Sequence, residues 1–105
     1  GKDNIKDTLI GTLASILSFS SIYKEGMIII AMAYDGDNIK ISTRVAGRDP
    51  KSQRNLRELM NYITSCLGGE SGGHKEAAGC IIKKEDENKF IELVKKRFEY
   101  EMIKV

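Results

Sequence analysis

The sequence has few of the residues on which metal sites and disulfide scaffolds depend. Its 105 residues include one histidine, two cysteines, one proline and no tryptophan. Zinc requires about four ligands, and one histidine with the isolated Cys66 and Cys80 does not supply them. We therefore expect no metal site and no cofactor in this chain, and we expect both cysteines to be reduced, half-buried thiols.

Long hydrophobic runs and a strong excess of one charge are also missing. The longest apolar run, Met27 to Ala33, is too short to span a bilayer, and the N-terminus lacks the apolar segment of a signal peptide. The formal net charge is only +2, and 30% of the residues are charged, as in ordinary globular domains. These features predict one cytoplasmic domain with a single core and no membrane partner.

A catalytic centre is not visible either. The sequence has no cluster of aspartates and histidines able to hold two catalytic metal ions. His74, the only histidine, has no serine or cysteine nucleophile in a recognisable arrangement around it. We therefore assign no catalytic residue and expect a domain that binds a ligand but does not cleave it alone.

A helical stripe of apolar residues marks the N-terminal segment. The stripe consists of Leu9, Ile10, Leu13, Ile16 and Leu17. This spacing predicts a helix over residues 7–19 that packs on a sheet with this stripe. The opposite side carries only small or polar residues, namely Gly11, Thr12, Ser15 and Ser18. We expect this small side to face outward or toward a partner.

The remaining patterns predict a sheet with helices packed on it. In chain order they are the strands 27–34 and 39–45, a helix from Leu56 to Leu67, the strand 77–83 and a helix that begins at Glu85. The turn signal DGDN at 35–38 joins the first two strands into a hairpin. The order predicts a single small α/β domain with a mixed sheet of about three to five strands.

Residues 68–79, GGESGGHKEAAG, hold five of the chain's ten glycines and its histidine. Each interior glycine costs a helix about 1 kcal/mol relative to alanine, so we predict a loop here. Consecutive glycines leave several backbone N–H groups open to one oxyanion, and the imidazole adds a donor. This combination favours a phosphate, although the spacing fits neither a P-loop nor a dinucleotide fingerprint. A tight structural turn with an exposed histidine is the alternative.

Two further features favour an anionic ligand. Ser42 and Arg44 are two residues apart on a predicted strand, so their side chains share one face. Arginine can hold a phosphate with two parallel hydrogen bonds and serine can add a third, although a solvated face would look the same. The segment from 44 to 57 carries one acid, Asp49, against five basic residues, Arg44, Arg48, Lys51, Arg54 and Arg57. It predicts an accessory basic patch for nucleic acid.

The segments KISTRVAG (40–47), LGGES (67–71) and GGHKEAAG (72–79) together resemble the DHH-associated C-terminal domain of the DHH phosphoesterase superfamily. The segments DTLIGTLASIL (7–17) and NLRELM (55–60) look most like archaeal RecJ-like single-strand-specific exonucleases. The resemblance covers nearly the whole chain, 1–105. The chain departs from the family's GGGH pattern at Ser71, which stands where many members have the first of three glycines.

The resemblance implies a role for each residue of the motif. The substrate loop would consist of Ser71, Gly72, Gly73 and His74. Ser42 and Arg44 would hold a backbone or terminal phosphate. A DHH domain outside this chain would carry manganese or magnesium ions and hydrolyse the phosphodiester bond, so this chain alone would be inactive.

The partners implied by the resemblance are single-stranded DNA or RNA, the DHH domain and, as for archaeal RecJ-like proteins, the GINS replication complex. Such exonucleases act in DNA repair and replication. The same module also occurs in oligoribonucleases and in phosphatases of phosphoadenosine nucleotides. A tRNA-contacting module related to the C-terminal part of alanyl-tRNA synthetases is a further alternative, against which the segment 72–79 argues.

Overall fold

A computed structural model of the chain describes residues 2–20, 22–47 and 55–104, with side chains from Leu9 onward. The elements in these ranges are α1 (Lys2–Ser18), β1 (Ile28–Asp35), β2 (Asn38–Val45), α2 (Leu56–Leu67), β3 (Glu70–His74), β4 (Ala77–Lys83), α3 (Glu87–Lys95) and β5 (Tyr100–Lys104). A short 3-10 turn, Lys84–Asp86, leads into α3. None of the helices in the described ranges is long and apolar enough to cross a membrane.

The five strands form one mixed sheet in the order β3-β4-β2-β1-β5. Strand β5 runs parallel to β1, and all other neighbouring strands are antiparallel. This architecture confirms the predicted α/β domain with a mixed sheet. Two of the strands, β3 and β5, lie at the edges of the sheet and were not predicted.

The main hydrophobic core lies between one face of the sheet and the helices α2 and α3. Alternate residues of the two central strands point to this face, namely Ile28, Ile30, Met32, Ile39 and Ile41. Helix α2 covers them with residues at helical spacing, Leu56, Leu59, Met60 and Ile63, and α3 adds Phe90 and Val94. The side chain of Asn55 caps α2 by accepting a hydrogen bond from the Glu58 N–H at 3.1 Å.

Helix α1 covers the other face of the sheet, but it is rotated from the predicted orientation, so that only part of the predicted stripe is buried. Leu9 and Ile16 of the predicted buried stripe are 62% and 63% exposed. Ile10 of the same stripe is buried as predicted, and with Ala14 it forms a second small core against Ala31 and Ala33 of β1. The physical reason is the small size of these β1 side chains, which lets the small side of the helix approach the strand closely.

The two cysteines differ in their surroundings. Both are free, as expected, but neither is half-buried as predicted, because Cys66 is exposed and Cys80 is buried. Burial raises the pKa of the Cys80 thiol to about 12. This side chain therefore acts as a small apolar residue of the main core.

Candidate nucleic-acid interface

The glycine-rich segment is mostly a β-hairpin and not the predicted loop. Strands β3 and β4 pair in antiparallel register around a turn at Lys75 and Glu76. Gly73 has a φ angle of +111°, and a Cβ there would lie 2.4 Å from the carbonyl oxygen of Ala77. Only glycine fits such a position. Part of the glycine content is thus explained by the turn itself.

The register of the sheet aligns the predicted site residues in two rows on the face covered by α1. One row runs from Ser42 of β2 through Gly79 of β4 to Gly72 of β3. The neighbouring row runs from Arg44 through Ala77 to His74. Strands are about 4.8 Å apart, so the ends of each row are separated by about 10 Å. Because the middle positions carry small residues, the two rows form a shallow floor between polar groups.

This floor is accessible. Gly72 and His74 are exposed, and Ser42 and Arg44 are half-buried at the edge of α1. Ser42, Gly72 and Gly79 line one cavity, which Ile10 of α1 closes on its other side. Lys40 of β2 and Glu70 of β3 also line this cavity, so it carries charged groups of both signs beside the small residues of the floor.

Ser71 takes part in a different contact. Its hydroxyl donates to the Oδ1 of Asn61 at 2.7 Å and lies 3.3 Å from the hydroxyl of Thr64, both on α2. The side chain thus points to the face opposite Gly72. No non-glycine residue in the described ranges has a positive φ angle, so serine is unstrained at this position of the motif. Only the backbone of Ser71, and not its hydroxyl, is left to take part in the predicted substrate site.

Arg44 is held in one orientation by three hydrogen bonds. Its Nε donates to the Ser15 hydroxyl at 3.0 Å, and its Nη1 donates to the Ser42 hydroxyl at 3.1 Å and to the Thr43 carbonyl at 2.7 Å. Desolvation under α1 lowers the pKa of Arg44, but an arginine keeps its charge at neutral pH. Ser15 was not predicted as a site residue, because the predicted orientation of the helix directed it away from the sheet.

The Nη2 group of Arg44 has no hydrogen-bond partner among the described residues. None of the buried side-chain nitrogen or oxygen atoms in the described ranges lacks a partner, so Nη2 is not fully buried. A Cβ at Gly11 of α1 would lie 3.5 Å from this Nη2. Two N–H groups of a fixed guanidinium thus remain for an external anion.

The predicted basic patch is only partly described. Arg48, Lys51 and Arg54 lie outside the described residues. Arg57 is exposed in the first turn of α2, and the N–H of its neighbour Leu56 donates to the Lys75 carbonyl at 2.8 Å. Arg57 therefore lies at the end of the sheet where the β3–β4 hairpin turns.

Metal binding finds no support in the described part of the chain. There, no three histidine, cysteine, aspartate or glutamate side chains are grouped to hold a metal ion. The manganese or magnesium implied by the resemblance therefore has no ligand set among these residues. We derive no chemical step through a metal on this chain.

Fold and site together define an α/β domain with a polar face at Ser42, Arg44 and His74 and no group of three metal-ligating side chains among its described residues. Residues 2–99 match the family model of the DHHA1 domain, and the chain belongs to this family. It is thus an accessory, nucleic-acid-binding domain of DHH proteins. The superfamily predicted from the glycine–histidine segment and the Ser42/Arg44 strand is confirmed, whereas the likeness to archaeal RecJ-like exonucleases stays a prediction.

A solved structure with the same fold is the C-Ala domain of alanyl-tRNA synthetase from Aquifex aeolicus. The two chains superpose with a TM-score of 0.68 at 19% sequence identity, over 83% of this chain and 76% of that chain. At this identity the likeness is one of fold. No curated protein sequence matches the chain significantly. The fold is thus shared with the tRNA-related alternative, and the site residues must separate the two.

Proposed function

We propose that this domain holds the phosphate backbone of single-stranded DNA or RNA while a DHH domain hydrolyses a phosphodiester bond, as in a RecJ-like exonuclease. The observation that carries the proposal is the fixed guanidinium of Arg44. Its Nε and Nη1 are occupied within the protein and its Nη2 is open beside Ser42. An arginine held in this way loses little conformational entropy when it binds a phosphate.

The strand β3 supports the same proposal from the other end of the two rows. It is an edge strand, so part of its backbone N–H groups face away from the sheet. Gly72 lies at this edge with no side chain to obstruct an approaching anion, and His74 adds an exposed imidazole two residues later. In this proposal the strand and Arg44 hold neighbouring phosphates of one ligand.

The division of labour follows from the residues of this chain. Its polar groups bind and orient a phosphate, and we assign none of them to proton transfer or nucleophilic attack. The manganese or magnesium ions that supply the Lewis acid in this proposal belong to the DHH domain. In this proposal the chain binds the nucleic acid and positions it relative to the DHH domain. The chain alone therefore binds the nucleic acid without cleaving it.

The decisive experiment is a titration of labelled single-stranded oligonucleotides against wild type, Arg44→Ala and Arg97→Ala. Arg97 is the matched control, because it is exposed and stacks on Tyr62 at 4.2 Å from the ring centroid. We expect Arg44→Ala to weaken binding by about 1.5–3 kcal/mol, or about 10- to 150-fold, the range for a hydrogen bond to a charged group. Equal losses for both variants would show diffuse attraction and contradict a defined phosphate site.

The length of the ligand separates the substrate classes. A module for single strands binds a decamer more tightly than a dinucleotide, because more phosphates are contacted. A module from an oligoribonuclease or a phosphoadenosine phosphatase gains nothing beyond two nucleotides. A tRNA-contacting module binds folded tRNA more tightly than either ligand. The same RecJ-like resemblance supports GINS as a partner, and a pull-down without nucleic acid tests this.

A further inference from the structure

The cavity over Gly72 is lined by one acidic side chain, that of Glu70. Glu70 lies two residues before Gly72 on β3, so both residues face the same side of the sheet. In register, Glu70 pairs with Ile81 of β4. Ile81 pairs in turn with Lys40 of β2. A third row, from Lys40 to Glu70, therefore lies beside the row from Ser42 to Gly72, about 7 Å further along the strands.

The two charged groups of this third row differ in what they contact. The Lys40 ammonium is 3.7 Å from the Asp35 carboxylate, and the side chain of Lys40 is 8% exposed. Glu70 is exposed, and no described residue forms a hydrogen bond or an ion pair with its carboxylate. An ionised carboxylate only accepts hydrogen bonds, and it repels a phosphate. The ligand group that complements this end of the cavity is therefore a neutral hydrogen-bond donor.

The size and the floor of the cavity fit a sugar. Its volume is about 320 Å³, at the small end of the range for ligand pockets. The floor consists of Gly72 and Gly79, which present no side chain. At one end of the floor, the Ser42 hydroxyl accepts a hydrogen bond from Arg44, where the proposed function places a phosphate. A sugar attached to that phosphate can lie over the two glycines, between Ser42 and Glu70.

We propose that this cavity holds a ribose whose 2′-hydroxyl donates a hydrogen bond to the Glu70 carboxylate, so that the domain prefers RNA to DNA. The proposal rests on the proposed function, because the phosphate at Arg44 places the sugar. The 2′-hydroxyl is the group by which a protein distinguishes RNA from DNA at one site. In dinucleotide-binding folds an acidic side chain accepts a hydrogen bond from the same hydroxyl. A deoxyribose leaves the carboxylate without its donor and is bound less tightly.

The experiment compares three strands of equal length and with the same base, namely oligouridylate, oligodeoxyuridylate and 2′-fluoro-oligouridylate. The fluoro strand keeps the sugar pucker of RNA but cannot donate a hydrogen bond. Affinities are measured for wild type, Glu70→Ala, Glu76→Ala and Arg44→Ala. Glu76 is the matched control, because it is an exposed carboxylate in the turn of the same hairpin and does not line the cavity.

We expect wild type to bind oligouridylate about tenfold more tightly than the other two strands. This is the low end of the range for a hydrogen bond to a charged group, because Glu70 is exposed. Glu70→Ala binds all three strands equally, and Glu76→Ala keeps the tenfold preference. Each of these two variants loses one negative charge, so a general gain in affinity affects all strands and cancels in the ratio.

The outcomes separate the ribose site from the phosphate site. If wild type binds all three strands equally and Arg44→Ala weakens all of them, the ribose site is wrong and the phosphate site stands. If Glu70→Ala keeps the preference for RNA, or if the fluoro strand binds as tightly as oligouridylate, the hydrogen bond to Glu70 is wrong. If wild type binds none of the strands, the proposed function fails and the ribose site fails with it.

Discussion

Four glycines of the β3–β4 hairpin illustrate how one residue type serves two purposes. Gly69 and Gly73 have positive φ angles, and a Cβ at either would collide with a backbone carbonyl oxygen. A Cβ at Gly79 would lie 2.4 Å from the carbonyl oxygen of Ile41. At Gly72 the φ angle is ordinary and a Cβ would meet nothing within 4 Å. The fold therefore requires glycine at three of these positions, and the fourth is available for a ligand.

Gly72→Ala tests this distinction at the scale of one residue. The added methyl group fits the fold and reduces the conformational freedom of the unfolded chain, so we expect stability to rise by about 0.4–1 kcal/mol. If a phosphate approaches this backbone, its hydrogen bond is lost and oligonucleotide affinity falls by about 0.5–1.5 kcal/mol. Thermal unfolding and a binding titration of the same protein give both numbers.

The control is Gly79→Ala, which places its methyl group against the backbone of Ile41 and should lower the melting temperature. Unchanged affinity of a stable Gly72→Ala protein would mean that no ligand group comes close to Gly72. Phosphate binding would then depend on the side chains of Arg44, Ser42 and His74.

At the scale of elements, the sequence predicted the helices and strands whose apolar residues recur at a regular spacing. Helix α2, the central strands β1 and β2, and strand β4 appear where their apolar residues predicted them. Strand β3 escaped prediction because its residues ESGGH carry no alternating pattern, and only pairing with β4 makes them a strand. Strand β5 is five residues long and forms by parallel pairing with β1. This contact joins residues far apart in the sequence, so the residues of β5 alone do not indicate it.

The candidate site was predictable to a similar degree. Spacing placed Ser42 and Arg44 on one face, and the register adds Gly72 and His74 to it. Whether Ser15 could be predicted as a contact of Arg44 depended on which side of α1 packs on the sheet. That side is decided by the small residues of β1 opposite the helix, so neither the helix alone nor its hydrophobic stripe could reveal it.

Two substitutions in α1 test the orientation of the helix. Ala14 is fully buried against Ala31 and Ala33, so Ala14→Leu overpacks this contact and should destabilise the protein by about 1–3 kcal/mol. Leu9→Ala removes an exposed side chain and should change stability by no more than about 0.5 kcal/mol. The midpoints of urea unfolding measure both effects. The reverse ranking would restore the orientation predicted from the apolar stripe.

At the scale of the whole molecule, one polar cluster joins three elements that are distant in sequence. The Glu87 carboxylate of α3 accepts a hydrogen bond from Lys104 of β5 at 2.8 Å and another from the Tyr34 hydroxyl of β1. These bonds lower the pKa of Glu87, the bond from Lys104 contributing most and the bond from Tyr34 next. The bond to Glu87 in turn raises the pKa of Tyr34 and of Lys104. The ion pair between Lys104 and Glu87 thus connects the edge strand β5 to helix α3.

The cluster makes stability depend on pH at the acid end. Because the pKa of Glu87 is lower in the folded protein than in the unfolded chain, its contribution is fully present above the ordinary glutamate pKa of about 4.3. The contribution is lost as pH falls through the lowered folded-state value. Wild type should therefore lose free energy of unfolding on acidification, and Glu87→Gln should lose less of it over the same interval while being less stable at pH 7.

Urea unfolding of both proteins between about pH 7 and pH 2.5 measures this difference, with Glu85→Gln as a control for the loss of one exposed carboxylate near the start of α3. At the alkaline end the sign is opposite. Tyr34 and Lys104 have raised folded-state pKa values, so the stability that they contribute is present at neutral pH and is lost as pH rises through those values. If Glu87→Gln and Glu85→Gln show the same acid dependence as wild type, the cluster does not fasten β5, and parallel pairing with β1 alone holds this edge of the sheet.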